Sequence, residues 1–224
     1  LLERILLFAP MLLLAMVAHE YAHGWAARQQ GDPTAESLGR LTWNPLKHID
    51  PFLTVLLPLM IFVSSGGNMI FGGAKPVPVD PRNYRNVRRG DIVVSLAGIT
   101  ANLLLVPLLM AGIVAAGAAG RALPDLVPSL ALLQRMLGFG IAVNLLLAVF
   151  NLLPVPPLDG SHVVKWFLPR RWAVRYQRVG MYGFLVLMLL LTFGRPVLSA
   201  WMAPALWLDG WSAHLLQGWR LDLD

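Results

Sequence analysis

Residues 5–18, 92–120, 136–158, 179–194 and 196–208 each carry no Asp, Glu, Lys or Arg. A helix needs about 20 apolar residues to cross a hydrocarbon layer of ~30 Å. The second and third stretches meet that length unaided. The first meets it if it continues to residue 27, interrupted only by "HEYAH" at 19–23. The last two are shorter. These runs are too long for strands, so they predict helices. Between them, "FLTVLLPLMIFVSSGGNMIF" at 52–71 is apolar but broken by Pro58, Gly66 and Gly67. It predicts a segment that dips into the membrane and returns. In "GAKPVPV" at 73–79 the alternating Pro76 and Pro78 exclude helix and central strand, and predict an extended edge. The expected fold is an all-α polytopic membrane protein with five to six transmembrane helices. It forms one domain over 1–224, with a core at 1–178 and a C-terminal span and interfacial tail at 179–224.

Composition agrees. The chain is 57% hydrophobic and 13% charged, against roughly 25% charged for a soluble domain. The eight tryptophans fall near predicted span ends or in loops, as in an aromatic belt. "KWFLPRRWAVRYQR" at 165–178 and the tail at 207–219 predict helices lying at the headgroups, with His214 interfacial. The first apolar run leads into polar chemistry, so no cleavable signal is expected. The net charge of +6 reads as topology-setting basic residues, and no nucleic acid is expected. Without cysteine there is neither a disulfide nor a thiolate ligand.

Charge at membrane depth costs about 2–3 kcal/mol per group, so His19, Glu20 and His23 need a reason to end an apolar span. Residues four apart share one helix face. Two histidines so spaced, with a glutamate beside the first, form a known zinc geometry with the glutamate as general base. A third ligand must be Asp, Glu or His. Asp159 is the best candidate. It follows Pro154, Pro156 and Pro157, which should unwind the helix and turn a carboxylate inward, while His162 competes for the role. The extended Val77 and Val79 could pair with an unwound substrate by strand addition. Arg82, Arg85, Arg88 and Arg89 read as headgroup contacts, and His48 and Asp50 as loop stabilisers.

HEYAH together with "GDPTAESLGRLTWNPLKHIDP", "GGAKPVPVDPRNYRN", "AGITAN" and "NLLPVPPLDG", in this order, resembles the site-2 protease family of intramembrane zinc metalloproteases. The resemblance is to the compact bacterial branch without PDZ or CBS domains. It implies Zn2+ held by His19, His23 and Asp159, with Glu20 as base and Asn151 near the metal. It makes Asn144 and Asn102 further polar positions for substrate. It implies hydrolysis within transmembrane protein substrates, such as anti-sigma factors or remnant signal peptides, in the bilayer of a bacterial inner membrane. Ile99 stands where the family commonly has proline. Two other readings stay open at this point: a non-proteolytic metal carrier and an inactive binder of membrane helices.

For one site to form, three span ends must meet on one side, which requires that 51–71 not cross. The site side then holds fourteen Lys and Arg against four on the far side. The positive-inside rule places the site toward the cytoplasm. A topology reporter fused near residue 85 should therefore read as cytoplasmic; an external signal would refute this orientation.

Overall fold

The computed structural model describes residues 2–64 and 72–221. Gly66 and Gly67, the expected break points of the apolar loop, lie outside the described residues. No strand occurs among the described residues. The chain divides into two compact units, Met16–Gly98 and Leu1–Ala15 with Ile99–Asp224.

Nine α-helices are found among the described residues: α1 (Leu2–Gln30), α2 (Thr34–Ser37), α3 (Leu57–Ser64), α4 (Val87–Ala122), α5 (Val127–Asn151), α6 (Asp159–Val164), α7 (Arg170–Val179), α8 (Gly183–Phe193) and α9 (Arg195–Leu215). Both α1 and α4 contribute to each unit. Val87–Ala122 and Pro124–Asn151 are long and apolar enough to cross a membrane. A third span exists if Arg170–Tyr182 and Leu185–Phe193, bent by 80°, count as one. Hydropathy led to an expectation of five to six crossings, and two to three helices among the described residues have the length and composition for one. Pro51–Val63 is a shorter apolar helix, and at 1.5 Å per residue it reaches only ~20 Å.

In the larger unit, Leu109 and Ile113 of α4, Ile141 and Leu145 of α5, Ala205 of α9 and Leu216 form the core, with Met11 of α1 packed against it. Phe8 and Phe139 stack with centroids 4.2 Å apart. Meanwhile Leu104 and Leu108 of α4 are 67% and 66% exposed, an apolar stripe one turn apart that suits lipid rather than water.

Buried amides register these helices. Asn102 Nδ2 donates to Asn144 Oδ1 at 2.8 Å and to the Ala15 carbonyl at 3.3 Å. Asn144 Nδ2 donates to the Gly140 carbonyl at 2.8 Å. Farther along, Gln134 Nε2 donates to the carbonyls of Ile113 (2.9 Å) and Trp219 (2.8 Å), and its Oε1 accepts from Leu221 N–H at 2.9 Å. The pairings of 102 with 144 and of 113 with 134 make α4 and α5 antiparallel. Trp201 Nε1 donates to the Val149 carbonyl at 2.9 Å and ties α9 to α5. The tail expected as a separate interfacial helix is the second half of α9. Beyond that helix, Gln134 ties down Trp219 and Leu221.

In the smaller unit, Ala26 and Ala27 of α1 pack with Tyr84 and with Val94 of α4. Asp50 caps the π-helical turn Pro51–Leu56, accepting from the N–H groups of Phe52 and Leu53 at 2.9 and 2.8 Å. His48 Nε2 donates to the Thr42 carbonyl at 2.8 Å, so both residues stabilise the loop as expected.

Asp32, 1% exposed, joins two stretches far apart in sequence. It accepts from the N–H and hydroxyl of Thr34, from Asn83 Nδ2 at 2.9 Å and from Asp80 N–H at 2.6 Å. Burial alone would raise this carboxyl's pKa. The hydrogen bonds from Thr34, Asn83 and the backbone N–H groups of Asp80 and Thr34 outweigh it and hold the pKa below the usual value. Asp80 is itself held down to about 2 by the Arg82 side chain and N–H.

Asp32→Ala would strand these donors and should cost about 2–3 kcal/mol, read as a lower unfolding midpoint. The folded carboxyl titrates below its unfolded value of about 3.9. Its stabilisation is therefore complete above that pH and is lost as pH falls through the folded pKa. An Asp32→Ala midpoint equal to wild type at neutral pH would refute the assignment.

Candidate metal centre

His19 and His23 sit one turn apart on α1. His23 Nδ1 lies 2.7 Å from the Val94 carbonyl oxygen. A carbonyl only accepts, so Nδ1 carries the hydrogen and Nε2 presents its lone pair. That nitrogen stands 3.0 Å from His19 Nε2, with the rings nearly perpendicular at 81°. The spacing suits a His19 N–H donating to His23, or one cation held by both. Zinc–nitrogen bonds of 2.0–2.1 Å at a tetrahedral angle would set the nitrogens ~3.3 Å apart. The donor set therefore fits a transition metal. The Val94 carbonyl plays the orienting part that a metal-bound imidazole commonly requires.

Val94 and Gly98 occupy successive turns of α4. A Cβ on Gly98 would stand 2.5 Å from His23 Nε2, 2.6 Å from His19 Cε1 and 2.7 Å from His19 Nδ1. No side chain fits there. The glycine lets the helix backbone pass against both imidazoles.

Glu20, between the histidines, accepts from Val77 N–H at 2.7 Å through Oε2. Val77 is 6% exposed, and a Cβ on Gly24 would lie 3.0 Å from its Cγ1. Its side chain thus packs on α1. Val79 is 37% exposed. The segment 72–80 is neither helical nor paired as a strand.

In the other unit, α5 ends at Asn151, where the prolines stop it as expected. Asn151 Nδ2 donates to the Leu147 carbonyl of its own helix at 2.9 Å. Asp159 opens α6, directly after the proline-rich turn. Tyr176 of α7 donates to the Pro154 carbonyl at 2.8 Å. Gly160 lies so close to that turn that a Cβ would sit 2.2 Å from the Leu152 carbonyl oxygen. Asn102 and Asn144, expected at the substrate, are 0% and 1% exposed and bonded to each other.

The roles of Gly98, the Val94 carbonyl, the Val77 N–H and Gly160 are not legible in the sequence. The glycines of "AGI" and "LDG" are visible there. Which atoms they make room for depends on packing.

The model of peptidase family M50 matches residues 7–191. The chain belongs to peptidase family M50. Among M50-like relatives, "Putative zinc metalloprotease YwhC" of Bacillus subtilis (strain 168) is 36% identical over 179 residues, covering 80% of this chain and 77% of that one. "Putative zinc metalloprotease Rip2" of Mycolicibacterium smegmatis is 33% identical over 189 residues, covering 84% and 67%. "Putative zinc metalloprotease MJ0611" of Methanocaldococcus jannaschii shares 56% over 36 residues, 16% of this chain and 18% of its own. No solved structure matches. M50 membership and the apolar helices together make this an integral membrane protein.

Gly98→Ala should displace both imidazoles and reduce zinc retained per purified chain by about tenfold or more, measured by elemental analysis. Unchanged zinc content would show that the imidazoles hold no metal together.

Proposed function

We propose that this M50 protein is an intramembrane zinc endopeptidase that hydrolyses peptide bonds in or near transmembrane segments of other proteins. The observation that carries the reading is the pair of imidazole nitrogens 3.0 Å apart, with Glu20 between them in sequence at the polar end of an apolar helix. The names of the relatives support zinc as the metal. In this reading His19 and His23 bind it through Nε2, and Asp159 supplies the third ligand, since a catalytic site takes three protein ligands and leaves one position open.

Zinc, when bound, polarises the scissile carbonyl and lowers the pKa of water. The protein's own groups do the rest. Glu20 accepts the proton of the attacking water and delivers it to the leaving nitrogen. The Val94 carbonyl keeps His23 in the tautomer with Nε2 available. Asn151, whose amide carries a second hydrogen, supports the developing oxyanion or the substrate backbone. Val79, the more exposed of the two valines, offers the backbone edge to which an unwound substrate adds. Val77 contributes its carbonyl to that edge. Asn102 and Asn144, buried together, set the spacing of α4 and α5.

Hydrolysis needs water, so the pocket opens to the cytosol, the side that the basic loops favour. Counting α1 and α9 as crossings gives the five-span form, with Pro51–Val63 dipping in without crossing. Irregular backbone at that depth is tolerated where protein or a watery cavity covers it. Substrates are single-span proteins of the same membrane, with anti-sigma factors and remnant signal peptides as the classes that the family relationship suggests.

Glu20→Gln should lower cleavage of a single-span test substrate by about 10²–10⁴-fold while zinc content stays at wild type. Asp159→Ala should lose both. Full cleavage by Glu20→Gln would refute the enzyme reading and leave a metal carrier or helix binder.

A further inference from the structure

Residues 75–79 read Lys-Pro-Val-Pro-Val, and proline has no backbone N–H. Val77 therefore carries the one N–H of positions 76–78, and it donates to Glu20 Oε2 at 2.7 Å. The donor is held from both sides. Upstream, Lys75 N–H donates to the His48 carbonyl at 2.8 Å, and Arg40 Nη2 donates to the carbonyls of Lys75 and Pro76 at 3.1 and 3.2 Å. Downstream, Asp80 N–H donates to Asp32 at 2.6 Å. The Val77 side chain is wedged at Gly24, one turn beyond Glu20.

We propose that Val77 is a positioning residue for the general base. Its N–H fixes one oxygen of Glu20, so that the other oxygen faces the reacting water in a single rotamer. A long carboxylate side chain otherwise samples many rotamers, few of them productive. The flanking prolines make the arrangement unique in register, because a slip of one residue either way sets a nitrogen without hydrogen against the carboxylate. The inference rests on Glu20 acting as the base. It assigns the Pro-Val-Pro motif a catalytic purpose separate from any pairing with substrate.

The test compares Val77→Pro, which removes the N–H, with Val77→Ala, which keeps it and removes the side-chain packing. Residue 77 precedes Pro78 and is already confined to extended conformations, which favours tolerance of a third proline. Steady-state kinetics would use a fluorescently tagged single-span polypeptide in lipid nanodiscs, with zinc content measured for each variant. Val77→Pro should lower kcat by about 10- to 100-fold with KM within about twofold. Val77→Ala, which keeps the N–H, should lose less kcat than Val77→Pro by about fivefold or more. In a Glu20→Gln background, Val77→Pro should add no further loss. Three outcomes overturn the proposal: kcat retained or raised in Val77→Pro, a loss confined to KM, or an equal loss in Val77→Ala. If Val77→Pro sheds zinc, an amide-to-ester replacement at residue 77 preserves the shape without the hydrogen and decides by the same criteria. Full activity of Glu20→Gln would instead remove the base assignment itself, a different failure from these.

Discussion

The histidine pair of α1 depends on one close approach. The backbone of α4 passes against the His19 and His23 rings of α1 with no side chain between, because residue 98 is glycine. One turn earlier the Val94 carbonyl takes the His23 Nδ1 hydrogen. These two contacts do complementary work. The first permits the rings to sit where they are; the second sets which nitrogen of His23 is available. A polar site in an apolar setting cannot rely on water to sort out tautomers, so the protein supplies a fixed acceptor. Any side chain at 98 would push the imidazoles apart, and any shift of α4 along its axis would remove the carbonyl.

Such contacts survive only if helix register is fixed, and hydrophobic packing in lipid does that poorly. Lipid tails are as apolar as leucine, so helices gain little by meeting through leucine alone. Buried amides fill the gap. Asn102 and Asn144 have few alternatives to each other and to the carbonyls of Ala15 and Gly140. Gln134 places both ends of its amide against α4 and the C-terminal tail. Each bond is worth on the order of 0.6 kcal/mol, yet each has directional demands that a methyl group lacks. Outside the apolar helices, Asp32 plays the same part for the loops, drawing residues 80–83 to the end of α1.

The loop anchors and Glu20 are parts of one arrangement. Asp32, Arg40 and His48 hold the segment whose Val77 N–H reaches Glu20. Loop stretches distant from HEYAH thus bring a backbone donor to the Glu20 carboxylate.

What the sequence determined alone was the family resemblance and the helical class. Histidines four apart around a glutamate, at the end of an uncharged run, are legible because helical periodicity is local and charge in lipid is costly. The prolines after Asn151 end α5 where predicted, since proline acts on its own backbone. What the tertiary structure decided was everything that depends on two distant segments meeting. Hydropathy reports composition, whereas crossing needs continuous helix length, so apolar runs alone do not fix the number of spans; among the described residues Pro51–Val63 is a shorter apolar helix. The tail reads as a separate helix because its tryptophans look interfacial. In fact α9 runs into it as far as Leu215, with Ala205 and Ser212 buried. Gly98 looks like one more small residue in an apolar helix, and Val77 like one more edge valine. No local pattern says what lies within 3 Å of a glycine's missing Cβ, or which carboxylate a lone N–H will find. Those are properties of packing, and they exist only once the chain has folded.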